Sequence, residues 1–131
     1  MDLGLFSVSL AVKDLDASRA FYEALGFSFS GGEPDKGWAI MRNGSTIIGL
    51  FSGFLEKNTL TFNPGWDENT DPLEAFEDVR EIQKTLRDRG IALHTETDPD
   101  GTGIGHIVVL DPDGNPVLID QHISKPAAPK N

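Results

Sequence analysis

The sequence predicts an α+β fold built of two βαβββ modules. Three observations carry this. Two segments show apolar residues at helical spacing and each stops at a glycine, Gly26 and Gly90. Two glycine turns, Asn43-Gly44 and Asp113-Gly114, join runs with strand-like alternation. The same order of elements then recurs in both halves, which marks an internal structural repeat.

The first module opens with a strand over 5–12, where Val8, Leu10 and Val12 alternate with Ser7, Ser9 and Ala11. A helix follows, capped by Asp14 or Asp16, with Ala17, Ala20, Phe21, Ala24 and Leu25 as its apolar stripe. That stripe is expected to pack on the Val8, Leu10 and Val12 face. Strands over 27–31, 37–42 and 45–52 complete the module. The second module repeats the order, with a strand over 58–63 and a helix over 78–89. Asp78 and Glu81 have capping-box spacing, and Val79, Ile82 and Leu86 form the stripe. Strands over 91–96, 105–110 and 116–121 follow. An insertion from Pro64 to Phe76 precedes the second helix. Its Trp66 is either a pocket wall or an anchor that pins the loop. The organisation expected is one domain over 1–123, with modules 5–52 and 58–122, and an extended or disordered tail over 124–131.

Composition narrows the function. The 131 residues include 0 Cys, which excludes disulfides, thiolate nucleophiles and cysteine-based metal sites. Lys and Arg number 11 against 21 Asp and Glu, and the net charge of -10 argues against nucleic acid and anionic membranes as partners. No apolar run reaches the roughly 20 residues of a membrane span, and the start, Met1-Asp2-Leu3-Gly4, has no basic stretch. A cytoplasmic protein is expected. Gly101-Thr102-Gly103-Ile104-Gly105 precedes a strand instead of opening a helix, so it is a poor phosphate cradle. Ser7 and Ser9 lack the surroundings of a nucleophile elbow.

Leu10-Ala11-Val12-Lys13-Asp14-Leu15-Asp16-Ala17-Ser18, Phe21-Tyr22-Glu23-Ala24-Leu25-Gly26-Phe27 and Asp111-Pro112-Asp113-Gly114-Asn115-Pro116 resemble the glyoxalase/bleomycin-resistance/extradiol-dioxygenase superfamily. With the repeated modules, the likeness covers nearly everything before the tail. It implies a curled mixed sheet around a cavity, where active members hold a divalent metal as a Lewis acid, and a homodimer. The ligand positions it implies are Ser7 and Thr59 in the first strands, and Ile48 and Leu118 in the last. None offers the imidazole or carboxylate that such a metal needs. No cofactor is expected, and a divalent metal only through a non-standard site.

Alternation turns Ser7, Ser9, Thr59, Thr61 and Asn63 away from the helices, towards a ligand or simply towards solvent. Trp38, Ile40 and Arg42 share a strand face, where Trp38 and Arg42 suit a flat or anionic compound; core packing and a solvated strand end are the alternatives. In simple register, His106 lies across from Asp120 with His122 diagonal, a possible acid-base group or atypical metal site if these are not plain surface residues. His94 is expected at the surface. Two functions stand against each other. One is a metal-free pocket binding a small organic molecule, for which the negative charge would suit a cation. The other is a lyase, isomerase or dioxygenase-type enzyme with a non-standard metal or acid-base site.

Overall fold

The computed structural model describes residues 1–124, so 125–131 of the expected tail lie outside the described residues. Two compact units emerge, one from Ser7 to Leu60 and one joining Met1–Phe6 to Thr61 onward. The first six residues pack with the second of these units. Leu3 lies against that unit's core, and the Asp2 N–H donates to Glu77 Oε1 at 3.1 Å.

The first unit contains β1 (Leu5–Ala11), α1 (Leu15–Ala24), β2 (Ser28–Gly31), β3 (Trp38–Asn43) and β4 (Thr46–Phe51), with β1 divided after Phe6. Strands run in the order β2-β3-β4-β1. β1 is parallel to β4, and the other neighbours are antiparallel. Asn43 pairs with Thr46, so the Asn-Gly signal marks a tight hairpin, with Gly44 at φ 60. Asp14 is the cap of α1, its Oδ1 accepting the Ala17 N–H at 3.0 Å. The core is Leu15, Ala39, Met41 and Leu50, backed by Leu10, Val12, Tyr22, Phe27 and Ile48.

The helix does meet the Leu10 and Val12 face, but not through the expected stripe. Phe21 and Leu25 are 60% and 57% exposed, and Ala17, Ala20 and Ala24 are exposed with them. A second stripe with the same spacing, Leu15, Ser18, Arg19 and Tyr22, turns inward. The short link from Val12 to the Asp14 cap sets Leu15 directly on the sheet, and that fixes the helix rotation. Arg19 belongs inside because its guanidinium carbon lies 4.9 Å from the centre of the Phe29 ring.

In the second unit, β5 (Thr59–Asn63, from Thr61), α2 (Val79–Asp88), β6 (Gly105–Leu110) and β7 (Pro116–Gln121) lie in the sheet order β5-β7-β6, with β6 and β7 antiparallel. Val79, Ile82, Leu86, Ile107 and Ile119 form its core. The expected strand over 91–96 is reduced to one bridge, Thr95 to Val108. The reason lies next to it. Gln83 accepts the Thr97 N–H at 2.8 Å and donates to the Thr97 carbonyl at 3.1 Å, so a helix side chain takes the place of a strand partner. No helix among the described residues is long and apolar enough to cross a membrane.

A buried polar network joins α2 to β7. Asp78 and Gln121 are 1% and 0% exposed. Gln121 Nε2 donates to Asp78 Oδ2 at 2.8 Å and to the Ile123 carbonyl at 3.0 Å, while its Oε1 accepts the Val79 N–H at 2.8 Å. Asp78 caps the helix through the Arg80 N–H and takes Arg80 Nη1 on both oxygens. Burial pushes the Asp78 carboxyl up, but the hydrogen bonds from Gln121 and Arg80, with the Arg80 charge, hold it below the ordinary carboxylate value. Arg80 Nη2 also donates to the carbonyls of Gly103 and Ile104. A Cβ on Gly101 or Gly105 would come within 3.1 Å of that nitrogen. The glycine-rich segment therefore cradles a guanidinium.

Replacing Gln121 with Leu leaves the Asp78 carboxylate and the Val79 N–H short of partners in a buried place. Urea unfolding should show a loss of about 2–4 kcal/mol. A loss below about 0.5 kcal/mol would mean that the network carries no stability.

Candidate functional site

Gln121 faces α2, so its chain neighbours, Asp120 on β7 and His122 just after it, emerge on the opposite side. His122 Nε2 lies 3.0 Å from Asp120 Oδ2, with the two side chains 45% and 30% exposed. The imidazole also lies flat on the Trp66 indole, with ring centres 4.8 Å apart and planes 5° from parallel. Asp120 thus grips the ring at its edge while Trp66 covers one face. The hydrogen bond to Asp120 raises the His122 pKa, burial opposes it, and the Asp120 charge adds to the rise. His106 is paired with Asp120 across β6 and β7, as simple register predicts, and is exposed. The carboxylate's hydrogen-bond partner is His122.

Trp66 is held in place by an ordered loop. Asp67 Oδ1 accepts the N–H groups of Asn69 and Asp71 at 2.8 and 3.0 Å. Trp66 bridges to Pro72, and the Leu73 N–H donates to the Gly65 carbonyl at 2.8 Å. Gly65 is required twice over: its φ is +93, and a Cβ would come 2.6 Å from Ile123 Cδ1. The Trp66 ring joins the loop to the end of β7 by covering one face of the His122 imidazole.

The other candidates divide between the units. Asn63 and Thr61 are 7% and 6% exposed, too buried for a solvated face. Phe62 packs on the α2 core, so both turn the other way. Asn63 Nδ2 donates to the Asp120 carbonyl at 2.8 Å, steadying the strand that carries the dyad. In the first unit, Thr59 Oγ1 donates to the Lys57 carbonyl at 3.0 Å. Ser9 is buried and Ser7 half-buried. Trp38 is half-buried and stacks on Phe51, with ring centres 5.9 Å apart and planes at 2°, while Phe54 meets Phe51 edge-on. Arg42 follows on the same strand face as Trp38. Phe51 and Phe54 were not singled out in the sequence, although Phe51 pairs directly with Trp38 in register. His94 is exposed.

The implied metal positions need one correction. Ile48 packs in the α1 core, so the outward positions of β4 are Ile47, Gly49 and Phe51. The two hairpins close with loops of different length, at Asn43/Thr46 and at Leu110/Pro116. Their closing pairs face opposite sides, so the same count from each glycine puts Ile48 and Leu118 on opposite faces. The donor set does not fit a catalytic divalent cation with either choice, because Ser7, Thr59, Leu118, Ile47 and Gly49 supply neither imidazole nor carboxylate. Among the described residues there is no group of three or more His, Asp or Glu that could hold a metal ion.

Comparison with known proteins places these features. The sequence profile described as Glyoxalase/Bleomycin resistance protein/Dioxygenase superfamily matches residues 4–119. A superfamily member of the same description from Vibrio splendidus 12B01 is 15% identical with a TM-score of 0.62, over 88% of this chain and 97% of its own. A structure described as an NAD-dependent benzaldehyde dehydrogenase from Legionella pneumophila is 21% identical with a TM-score of 0.67, over 89% of this chain and 98% of its own. The Mn(II)-bound glyoxalase from Novosphingobium aromaticivorans is 16% identical with a TM-score of 0.55, over 95% of this chain and 40% of its own. These likenesses show the fold. No curated protein sequence matches the chain.

Two measurements follow from the His122 contacts. In a Trp38→Phe background, fluorescence of Trp66 should fall on acidification as an imidazolium forms against the indole, with a midpoint above about 6.5. Asp120→Asn should lower that midpoint, and a signal insensitive to pH would contradict the stack. Folding raises the His122 pKa, so its ionisation adds stability that is fully present below the unfolded value of about 6.5 and is lost as pH rises through the folded one. Urea unfolding should therefore show a greater cost of Asp120→Asn at about pH 5.5 than at about pH 8.5. Equal costs at both would refute the linkage.

Proposed function

The chain belongs to the glyoxalase/bleomycin resistance protein/dioxygenase superfamily, and from that premise we propose that it binds a small organic molecule at the Trp66, His122 and Asp120 corner, without a metal at the family's ordinary positions. The observation that carries the reading is the stacked indole and imidazole with Asp120 on Nε2. Asp120 occupies one ring nitrogen, which leaves Nδ1 to meet a ligand as donor when His122 is charged and as acceptor when it is neutral. The ring pair offers an edge and a half-exposed surface to a planar compound. At long range the net charge of -10 favours a cationic or neutral ligand over an anion.

A second reading is favoured by the same pair. A half-exposed imidazole oriented by a carboxylate, which raises its pKa above the ordinary value, can take a proton from a bound molecule and return it. An enzyme of the lyase or isomerase kind with acid-base residues would use it so, with His106 paired to Asp120 across the strands as a further group. A homodimer belongs to the proposal as well, and the mass in solution reads it.

The test is a thermal-shift screen of planar cationic, neutral and anionic compounds, with metal analysis of protein purified without chelator. A bound compound should raise the melting temperature of the wild type, and His122→Ala should remove most of that shift while the variant stays folded. Unchanged shifts in His122→Ala would sink the site. Stoichiometric tight metal would overturn the metal-free reading.

A further inference from the structure

The outward turn of α1 leaves an open groove beside the end of β1 that uses none of the residues of the proposed site. Its volume is about 550 Å³, and its apolar wall includes Val12, Phe21 and Tyr22. Phe21 is 60% exposed, so a large ring stands at the groove with nothing of this unit covering it. Four polar groups around it can donate: the Lys13 ammonium, the Asn58 amide NH₂ and the hydroxyls of Ser18 and Tyr22. Their commitments are few. Lys13 is in no ion pair among the described residues. Asn58 uses its oxygen to accept the Ala11 N–H at 3.0 Å, which fixes the side chain and leaves its NH₂ for another partner. The one carboxylate in the lining, Asp14, is engaged in capping α1 through the Ala17 N–H.

An apolar trough with an uncommitted cation and an amide donor at its rim is complementary to an apolar molecule that ends in a carboxylate. We infer that this groove is a second binding site, for an amphiphilic monocarboxylate whose chain lies along Val12, Phe21 and Tyr22 and whose head meets Lys13 and Asn58. The overall negative charge slows the approach of such an anion, since it acts over about a Debye length. Contact with Lys13 and Asn58 then decides residence.

Decanoate below its micelle concentration is the probe, read by amide chemical shifts of ¹⁵N-labelled protein, with decanol and decyltrimethylammonium as comparators. Decanoate should saturably shift the Asn58 side-chain amide and backbone amides over 12–22, and should bind more tightly than either comparator. Lys13→Gln should weaken decanoate about fivefold, the size of one exposed charge contact, and leave decanol unchanged. Phe21→Ser should weaken both. Both residues are exposed, and the dispersion of the remaining amide signals confirms that the variants fold. The inference is overturned if the shifts fall elsewhere, if Lys13→Gln binds decanoate as the wild type does, or if decanol matches decanoate. It is equally overturned if the 12–22 amides shift with protein concentration alone, because the groove is then covered by a second copy.

Discussion

The contact between Gln121 and Asp78 is the constraint on which the second unit depends. Both side chains are fully buried, and together they satisfy the first turn of α2, the end of β7 and the carbonyl of Ile123. A buried carboxylate is tolerable only when its oxygens are occupied, and here Gln121, the Arg80 N–H and the Arg80 guanidinium occupy them. The ion pair itself adds little over an apolar alternative of the same shape. Its use is to permit one arrangement, because a shift of β7 by one residue would put Asp120 where Gln121 is and bring a second carboxylate against Asp78.

That register is what aims the candidate site. With Gln121 turned towards α2, alternation sends Asp120 and His122 the other way, and Asn63 ties the Asp120 backbone to β5. Gly65 lets the inserted loop come close to Ile123, immediately after His122, and this approach sets the Trp66 ring on the imidazole. Stability and site geometry thus meet in four successive residues: Asp120 and His122 face outward, Gln121 faces inward, and Ile123 receives the loop. The glycines at 101 and 105 serve the same arrangement from the far end of Arg80 by leaving room for its guanidinium.

Much of the fold was legible because periodicity reports local structure directly. Strands β6 and β7 fall at the expected limits, both glycine turns close hairpins, and His106 sits across from Asp120. The misreadings arose where two patterns competed. On α1, Ala17, Ala20, Phe21, Ala24 and Leu25 form the more apolar stripe, yet Leu15 and Tyr22 go inward because the entry of the chain fixes the rotation. Residues 91–96 alternate like a strand, but Gln83 already holds the next backbone groups at Thr97. Counting four residues from a glycine failed at Ile48 because Thr46 and Pro116, each two residues after its glycine, close their hairpins on opposite faces relative to the helix.

By itself, then, the sequence determined the α+β class, the doubled module and the neighbourhood of Asp120 with His106. These follow from composition, alternation and turn chemistry, all of which act within a few residues of chain. Only the tertiary structure decided that His122 is the residue Asp120 holds, that Trp66 covers it, that Arg80 fills the glycine-rich segment and that Phe21 faces outward. Each of these depends on contacts between segments far apart in the chain, where the space left by packing selects among partners that the local pattern leaves equivalent.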